Sequence, residues 1–311
     1  MTDEFIQVRP YRPTDRETCL SLWESLGGWY RTTTSAQRND LELALRRLDD
    51  QLRGGFRFRT PAVREALWVI PVEGPVDGCL YARADDEQPA YVAPMHPMGE
   101  TVVPNLGALM AAAGSWFSQR QCTEFLVEVP KERPAFRKVV EGSGVILWTR
   151  RVFEKAVGVQ DSVSLPPGVH PFRPMQLRHV VALHERRYPG GPPPGVPVPF
   201  RELKPGNWWA GGSGSLQTRI LVHGSARIDG VAGVTLAPGG SVAFVGPFMV
   251  DLDAPSSVAA DLLAGLSAET IRTGARVMRI SVPSSAETEV RAIEAQPFRE
   301  IAQAELWRLR V

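Results

Sequence analysis

One arrangement occurs twice in this chain, and it constrains the fold more than any other feature. Residues 241–282 read strand, turn, helix, turn, strand: SVAFVGPFMV, DLDAPS, SVAADLLAGLSAETIR, TGA, RVMRISV. The same order runs from 90 to 129. The segment VRPYRP at 8–13 returns as VHPFRP at 169–174, and YVAPM at 91–95 returns as FVGPF at 244–248. At that second spacing FLVEVP (125–130) meets MRISVP (278–283), Val145 meets Phe298 and Phe153 meets Leu306. Matches in one order at nearly one spacing imply an internal duplication, two copies of one α/β unit.

The length agrees. At 311 residues the chain exceeds one ordinary core, and two domains are expected. A 43% hydrophobic and 22% charged composition is that of a soluble globular protein. The formal net charge of +1 gives no reason to expect nucleic acid or an anionic membrane as a partner. Cys19, Cys79 and Cys122 lie far apart with no CxxC or Cys/His spacing. Neither a disulfide framework nor a metal site is expected from them. The start MTDEFIQVRP lacks a signal pattern, and no apolar run approaches the ~18 residues of a spanning helix. A cytoplasmic location is expected.

Along the first copy, 5–10 is a strand and Pro13 breaks it. Thr14 or Asp15 is placed to cap a helix with Cys19, Leu22, Trp23 and Leu26 on its apolar face. A second helix over 40–52 carries a stripe of Leu41, Leu45, Leu48 and Leu52. A hairpin follows (66–73 and 76–84), turning at Gly74 and Pro75. Then come a strand at 90–95, a helix over 101–119, a strand at 124–129, a short helix at 134–141 and a closing strand at 146–153. The sequence at 154–168 is polar and ends in Pro166, Pro167 and Gly168, which reads as a linker. The second copy differs mainly at 188–215, YPGGPPPGVPVPFRELKPGNWWAGGSGS, whose prolines and glycines forbid regular structure. Trp208 and Trp209 there either wall a pocket or pin the loop to the core.

With these elements in place, the chain resembles a tandem pair of GCN5-related N-acetyltransferase (GNAT) domains. The resemblance rests on VRPYRPTD and VHPFRPMQ, on the hairpins with a glycine in the second strand (VDGCL, VAGVTL), on the strand–turn–helix–strand cores, and on the closing segments EGSGVILWTRRVF and EAQPFREIAQAELW. It implies an α/β (α+β) class of two GNAT-like domains, each a mixed, mostly antiparallel sheet flanked by helices. The expected boundaries are 1–155, a linker at 156–168, and 169–311. It also implies acyl transfer from acetyl-CoA, a substrate rather than a resident cofactor, to the amine of a small molecule or peptide. In this family the central strand splays from the next parallel strand and the pantetheine arm lies in the gap. The pyrophosphate sits on free amides at the following helix start, where the dipole favours an anion.

The second copy is expected to hold the donor. Carried onto this sequence, the strand end falls on Phe248, Met249 and Val250 and the phosphate turn on Ser256, Ser257, Val258 and Ala259. The family signature R/Q-x-x-G-x-G/A aligns with Ala254–Ala259, where only Ala259 fits, and in the first copy with 101–106, where nothing fits. Pro104 and Pro255 each remove an N–H donor. No Lys or Arg occurs at 95–106 or 248–260, and Asp251 and Asp253 put carboxylates beside the second turn, with Asp253 positioned as an N-cap. The family's tyrosine position falls on Val140 and Ile293. His96, His223 and Glu128 are titratable groups on or beside strands, but none is assigned as catalytic. Two functions follow from the pattern and its departures: an acyl-CoA-dependent N-acyltransferase, or a non-catalytic binding or regulatory protein on the same fold.

Overall fold

In the computed structural model the described residues are 7–25, 45–46, 48–50, 52, 64–71, 74–85, 88–95, 102–158, 161–189, 217–236 and 241–311. The chain divides into two compact units, Met1–Thr149 with Gln303–Val311, and Arg150–Ala302. The expected copies follow chain order, with a boundary at 155–169. The compact units follow strand pairing instead, and each takes its closing strand from the other copy.

Unit 1 has the strand order β1 (Arg9–Pro10), β2 (Arg64–Ile70), β3 (Gly78–Asp85), β4 (Gln88–Met95), β5 (Glu124–Pro130), then β12 (Arg299–Arg310), whose residues from Gln303 belong here. Each of these neighbours pairs antiparallel except β4 with β5, which are parallel. Helix α1 (Arg16–Ser25) follows a 3-10 turn at Pro13–Asp15, and α2 (Val102–Ser118) connects the parallel pair. The spacing that predicts α2 buries Leu106, Leu109, Met110, Ala113 and Phe117 against Val92, Phe125, Val127 and Val129. Helix α3 (Pro134–Val140) adds Phe136 and Val140 to the same core. Of the helix expected over 40–52, the described residues are helical, and Leu45 and Leu48 are buried while Leu52 is exposed.

Unit 2 repeats the order with β7 (Val169–Pro171), β8 (Gln217–His223), β9 (Gly230–Leu236), β10 (Val242–Val250), β11 (Val277–Pro283) and the part of β6 (Gly144–Ala156) from Arg150 onward. Again one pair, β10 with β11, is parallel. Helix α4 (Leu177–Arg187) packs Val180 and Leu183 with Ile220, Val222, Val231 and Met249. Helix α5 (Ser257–Thr273) and helix α6 (Glu287–Glu294) bury Leu262, Leu263, Leu266, Val290 and Ile293 with Ala243, Val245, Val250 and Ile280. Gly274, at φ +82°, ends α5 in the left-handed conformation that glycine adopts without strain.

The duplication reaches hydrogen-bond detail. The Arg12 N–H donates to Asp15 at 2.8 Å, and in the second copy the Arg173 N–H donates to Gln176 at 2.8 Å. Arg12 is thus the N-cap of the 3-10 turn that leads into α1, and Asp15 serves it from inside rather than capping the helix itself. Arg9 adds two bonds to Asp15, at 2.7 and 2.8 Å.

Because β12 lies beside β5, Trp307 and Leu309 complete a core whose other members are far earlier in the chain. Truncating Trp307 to Ala leaves a large void there, which is expected to cost about 3–5 kcal/mol. Urea denaturation followed by far-UV circular dichroism checks this. A loss below about 1 kcal/mol would show that the C-terminal strand is not part of unit 1's core.

Candidate functional site

In both units the parallel pair separates. In unit 1 the register with β5 covers Tyr91–Leu126 and Val92–Val127, while β4 runs on to Met95 paired only with β3. In unit 2 the register stops at Val245–Ile280, and β10 continues to Val250 beside β9 alone. A β-bulge between Val245 and Phe248 marks the point where β10 turns away. The hairpin glycine Gly233 is required there: a Cβ would lie 2.7 Å from the Gly246 carbonyl oxygen. Each unit therefore contains a gap with one bare strand edge, the place where the resemblance puts a pantetheine arm.

The gap of unit 2 is occupied by the chain itself. The Val250 N–H, on the bare edge, donates to Glu289 Oε1 at 3.1 Å. Glu289 lies in α6 and is 2% exposed. Its other oxygen accepts from Arg187 Nη2 at 3.2 Å, at the C-terminal end of α4. A charge-assisted bond of this kind contributes about 1.5–3 kcal/mol, against about 0.5–1.5 for a neutral amide pair. A pantetheine amide would replace the stronger bond by the weaker. It would also leave one oxygen of the buried carboxylate without its donor, at a cost of about 1–3 kcal/mol. This bond lies on the edge along which the resemblance lays the pantetheine arm.

The turn after β10 is closed in the same way. Asp251 is 3% exposed and accepts from Arg186 Nε at 2.8 Å and Arg227 Nη2 at 2.7 Å. It also accepts from the Asp253 N–H at 3.4 Å, and its carbonyl from Ala254 N–H at 3.1 Å. Asp253 is therefore not the N-cap of α5. Ser256 is, without a side-chain cap bond, because the chain spends Asp253–Pro255 on a turn folded back on Asp251. The absence of any base at 248–260 is true of the sequence. In space, Arg186 from α4 and Arg227 from the β8–β9 connection reach the turn and both pair with Asp251, Arg227 also with Asp229.

The expected site residues fall as follows. Val250, Val258 and Ala259 are buried in the α5-side core with Phe248 packed against it; Met249 is buried on the α4 side. Ser256 and Ser257 are exposed at the start of α5. Val140 and Ile293, at the family's tyrosine position, are both core residues. His223 on β8 has its Nε2 3.9 Å from Asp261 of α5. Glu128 on β5 is buried and follows Val127, the last residue in register with β4. His96, Trp208 and Trp209 lie outside the described residues. A cavity of about 270 Å³ lined by Pro171, Arg219, Glu269, Arg272 and Thr273 lies at the far end of α5 from the turn. Among the described residues no group of three or more His, Cys, Asp or Glu forms a metal site, and no helix is long and apolar enough to cross a membrane.

Unit 1 differs where it matters. At the spacing of the repeat the counterpart of Glu289 is Phe136, an apolar core residue, and that of Ser257 is Pro104, exposed in the first turn of α2.

Burial opposes ionisation of Asp251, but hydrogen bonds from Arg227 and Arg186 outweigh it and hold the carboxyl below its usual range. A folded-state pKa below the unfolded value of about 3.9 makes the contribution complete above that value. It is lost as pH falls from about 4 through the folded pKa. Asp251→Asn is expected to cost about 1–3 kcal/mol at neutral pH, since both arginines can turn to solvent. It is also expected to flatten part of the stability loss below pH 4. Urea midpoints from pH 7 to 3 check this, and an unchanged acid limb would show that Asp251 is not the titrating group.

No family model matches the chain, and no characterised protein matches it by sequence. Solved structures do. A tandem GNAT protein from the clavulanic acid biosynthesis pathway, solved without acetyl-CoA, superposes with a TM-score of 0.62 at 16% identity, over 98% of each chain. A GCN5-related N-acetyltransferase from Sphaerobacter thermophilus gives 0.64 at 14% identity, over 100% of this chain and 97% of that one. N-myristoyltransferase of Saccharomyces cerevisiae, with bound myristoyl-CoA and inhibitors, gives 0.55 at 7% identity, over 99% and 81%. With the strand orders, the two splayed parallel pairs and these superpositions together, the chain has the tandem GCN5-related N-acetyltransferase fold.

Proposed function

We propose that this protein transfers an acyl group, acetyl in the first instance, from acyl-CoA to the amine of a small molecule or peptide. The observation that carries this is the gap of unit 1. There β4 and β5 part after Val92–Val127, and β4 runs on to Met95 beside β3 alone. An extended chain of amides, such as a pantetheine arm, complements such an edge. Helix α2 opens at Val102, and in the family resembled the start of this helix receives the pyrophosphate, although Pro104 removes one of its donors here. The fold neighbours support the same donor chemistry. Cys19, Cys79 and Cys122 are free thiols, which accords with the reducing cytoplasm where acyl-CoA is available.

The second reading, a non-catalytic binding or regulatory protein, is favoured by one observation, the Glu289 carboxylate on the bare edge of unit 2. Calorimetry of the full chain with acetyl-CoA separates the two. Acyl transfer requires binding in the submillimolar range together with a thermal upshift. No heat and no shift at millimolar acetyl-CoA would sink the acyltransferase and leave the regulatory reading.

A further inference from the structure

We infer that the cavity at the C-terminal end of α5 binds a small α-amino acid, held as a zwitterion between Arg219 and Glu269. The cavity lies within unit 2, away from the strand edge at Val250, and the inference does not rest on the acyl-transfer reading. Packing sets the two charges opposite each other. Helix α5 lies on β8 with Gly265 against Leu221, where a Cβ would come 2.9 Å from Leu221 Cδ1. One turn on, the same face of α5 carries Glu269; two residues back, the same face of β8 carries Arg219. Both line the cavity, yet they do not pair. Among the described residues the Arg219 guanidinium has neither a hydrogen bond nor an ion pair. Glu269 is 6% exposed, and only its Oε1 is engaged, by Arg272. Arg272 in turn donates to the Val163 carbonyl at 2.8 Å, which fixes Glu269 in place and leaves Oε2 without a donor.

A free guanidinium and a half-engaged buried carboxylate that line one space but do not reach each other are complemented by a molecule carrying both signs. The ligand's carboxylate accepts a pair of bonds from Arg219, in the forked geometry a guanidinium favours. Its ammonium donates to Glu269 Oε2. The negative end of the α5 dipole favours a cation at that end and opposes an anion. A simple anion therefore leaves Glu269 unmet beside an unfavourable helix end, and a simple amine leaves Arg219 unmet. The rest of the lining includes Pro171 and Leu221, which stand opposite each other on β7 and β8 and offer an apolar floor to an aliphatic side chain. The volume of about 270 Å³, at about 30 Å³ for each water-sized group, sets the size. It takes a ligand of roughly nine non-hydrogen atoms or fewer, an amino acid such as valine rather than a peptide.

Amide NMR of the full chain, titrated with L-valine to tens of millimolar and with no acetyl-CoA present, tests the proposal. Saturable shifts are expected at the amides of Leu221 and Thr273. Isovalerate, which lacks the ammonium, and isobutylamine, which lacks the carboxylate, are each expected to bind about tenfold more weakly or worse, the weight of one charge-assisted hydrogen bond. Arg219 is exposed, so Arg219→Gln leaves the core intact and is expected to weaken valine about tenfold or more. Glu269→Gln is expected to weaken valine in the same way and to remove its advantage over isovalerate. Should that variant fail to fold, Arg219→Gln and the two analogues still decide. No saturable shift at Leu221 or Thr273 overturns the site. Equal binding of valine and isovalerate by the wild type overturns the zwitterion in favour of a plain anion. Valine binding that survives Arg219→Gln unchanged overturns the assignment to this cavity. Because the donor is absent throughout, none of these outcomes depends on whether the chain binds acetyl-CoA.

Discussion

A strand edge that leaves its neighbour inside a protein must find other partners, because a buried, unpaired amide costs about as much as a lost hydrogen bond. The separation of β10 from β11 after Val245–Ile280 creates that demand in unit 2. Glu289 meets it at Val250, and each further contact follows from the first. A buried carboxylate needs a counter-charge, which Arg187 supplies. Arg187 ends α4, so its neighbour Arg186 reaches Asp251 on the turn beyond the same strand. Arg227 completes the pair, and the turn folds back on Asp251 before α5 begins. One unmet amide thus organises a helix end, a turn and the start of the next helix.

The fold was legible because it depends on local patterns stated twice. The Leu106, Leu109, Met110, Ala113 and Phe117 stripe is a helix facing a core on either side of any ambiguity about its ends. The hairpin glycine in VAGVTL is now explained: Gly233 sits against the carbonyl of Gly246, where β10 bulges. What local patterns do not state is pairing between distant strands. The matching of Phe153 to Leu306 identified β6 and β12 as equivalent strands. It did not say that β12 would lie beside β5 in unit 1 and β6 beside β11 in unit 2. Nothing in the residues of a short strand names its neighbour, so the exchange of closing strands became visible only in space.

The site was less legible, for a similar reason. Reading 248–260 alone, the chain offers two acids and no base, which suggests a turn hostile to phosphate. The bases are present but come from 186, 187 and 227, on a helix end and a hairpin connection. Asp251 is in consequence an internal ion-pair partner rather than a charge facing a ligand. Asp253, which local rules favour as an N-cap, gives up that place because Ala254 and Pro255 continue the turn to Ser256. Glu289 carried no sequence signal. An acid in the first turn of a short helix normally means only a favourable dipole contact. Its one available clue was the comparison between copies, where Phe136 stands at the same place.

That comparison also explains how the two halves can keep one fold while their sites part. A bare strand edge has two remedies, a bound ligand or a side chain from the same unit. A unit that uses the first is complete only when ligand is present, and binding then adds to its stability by mass action. A unit that uses the second is complete on its own, and its stability no longer depends on ligand concentration. Helix α5, the bulge and Gly233 are held by packing, which does not depend on a ligand.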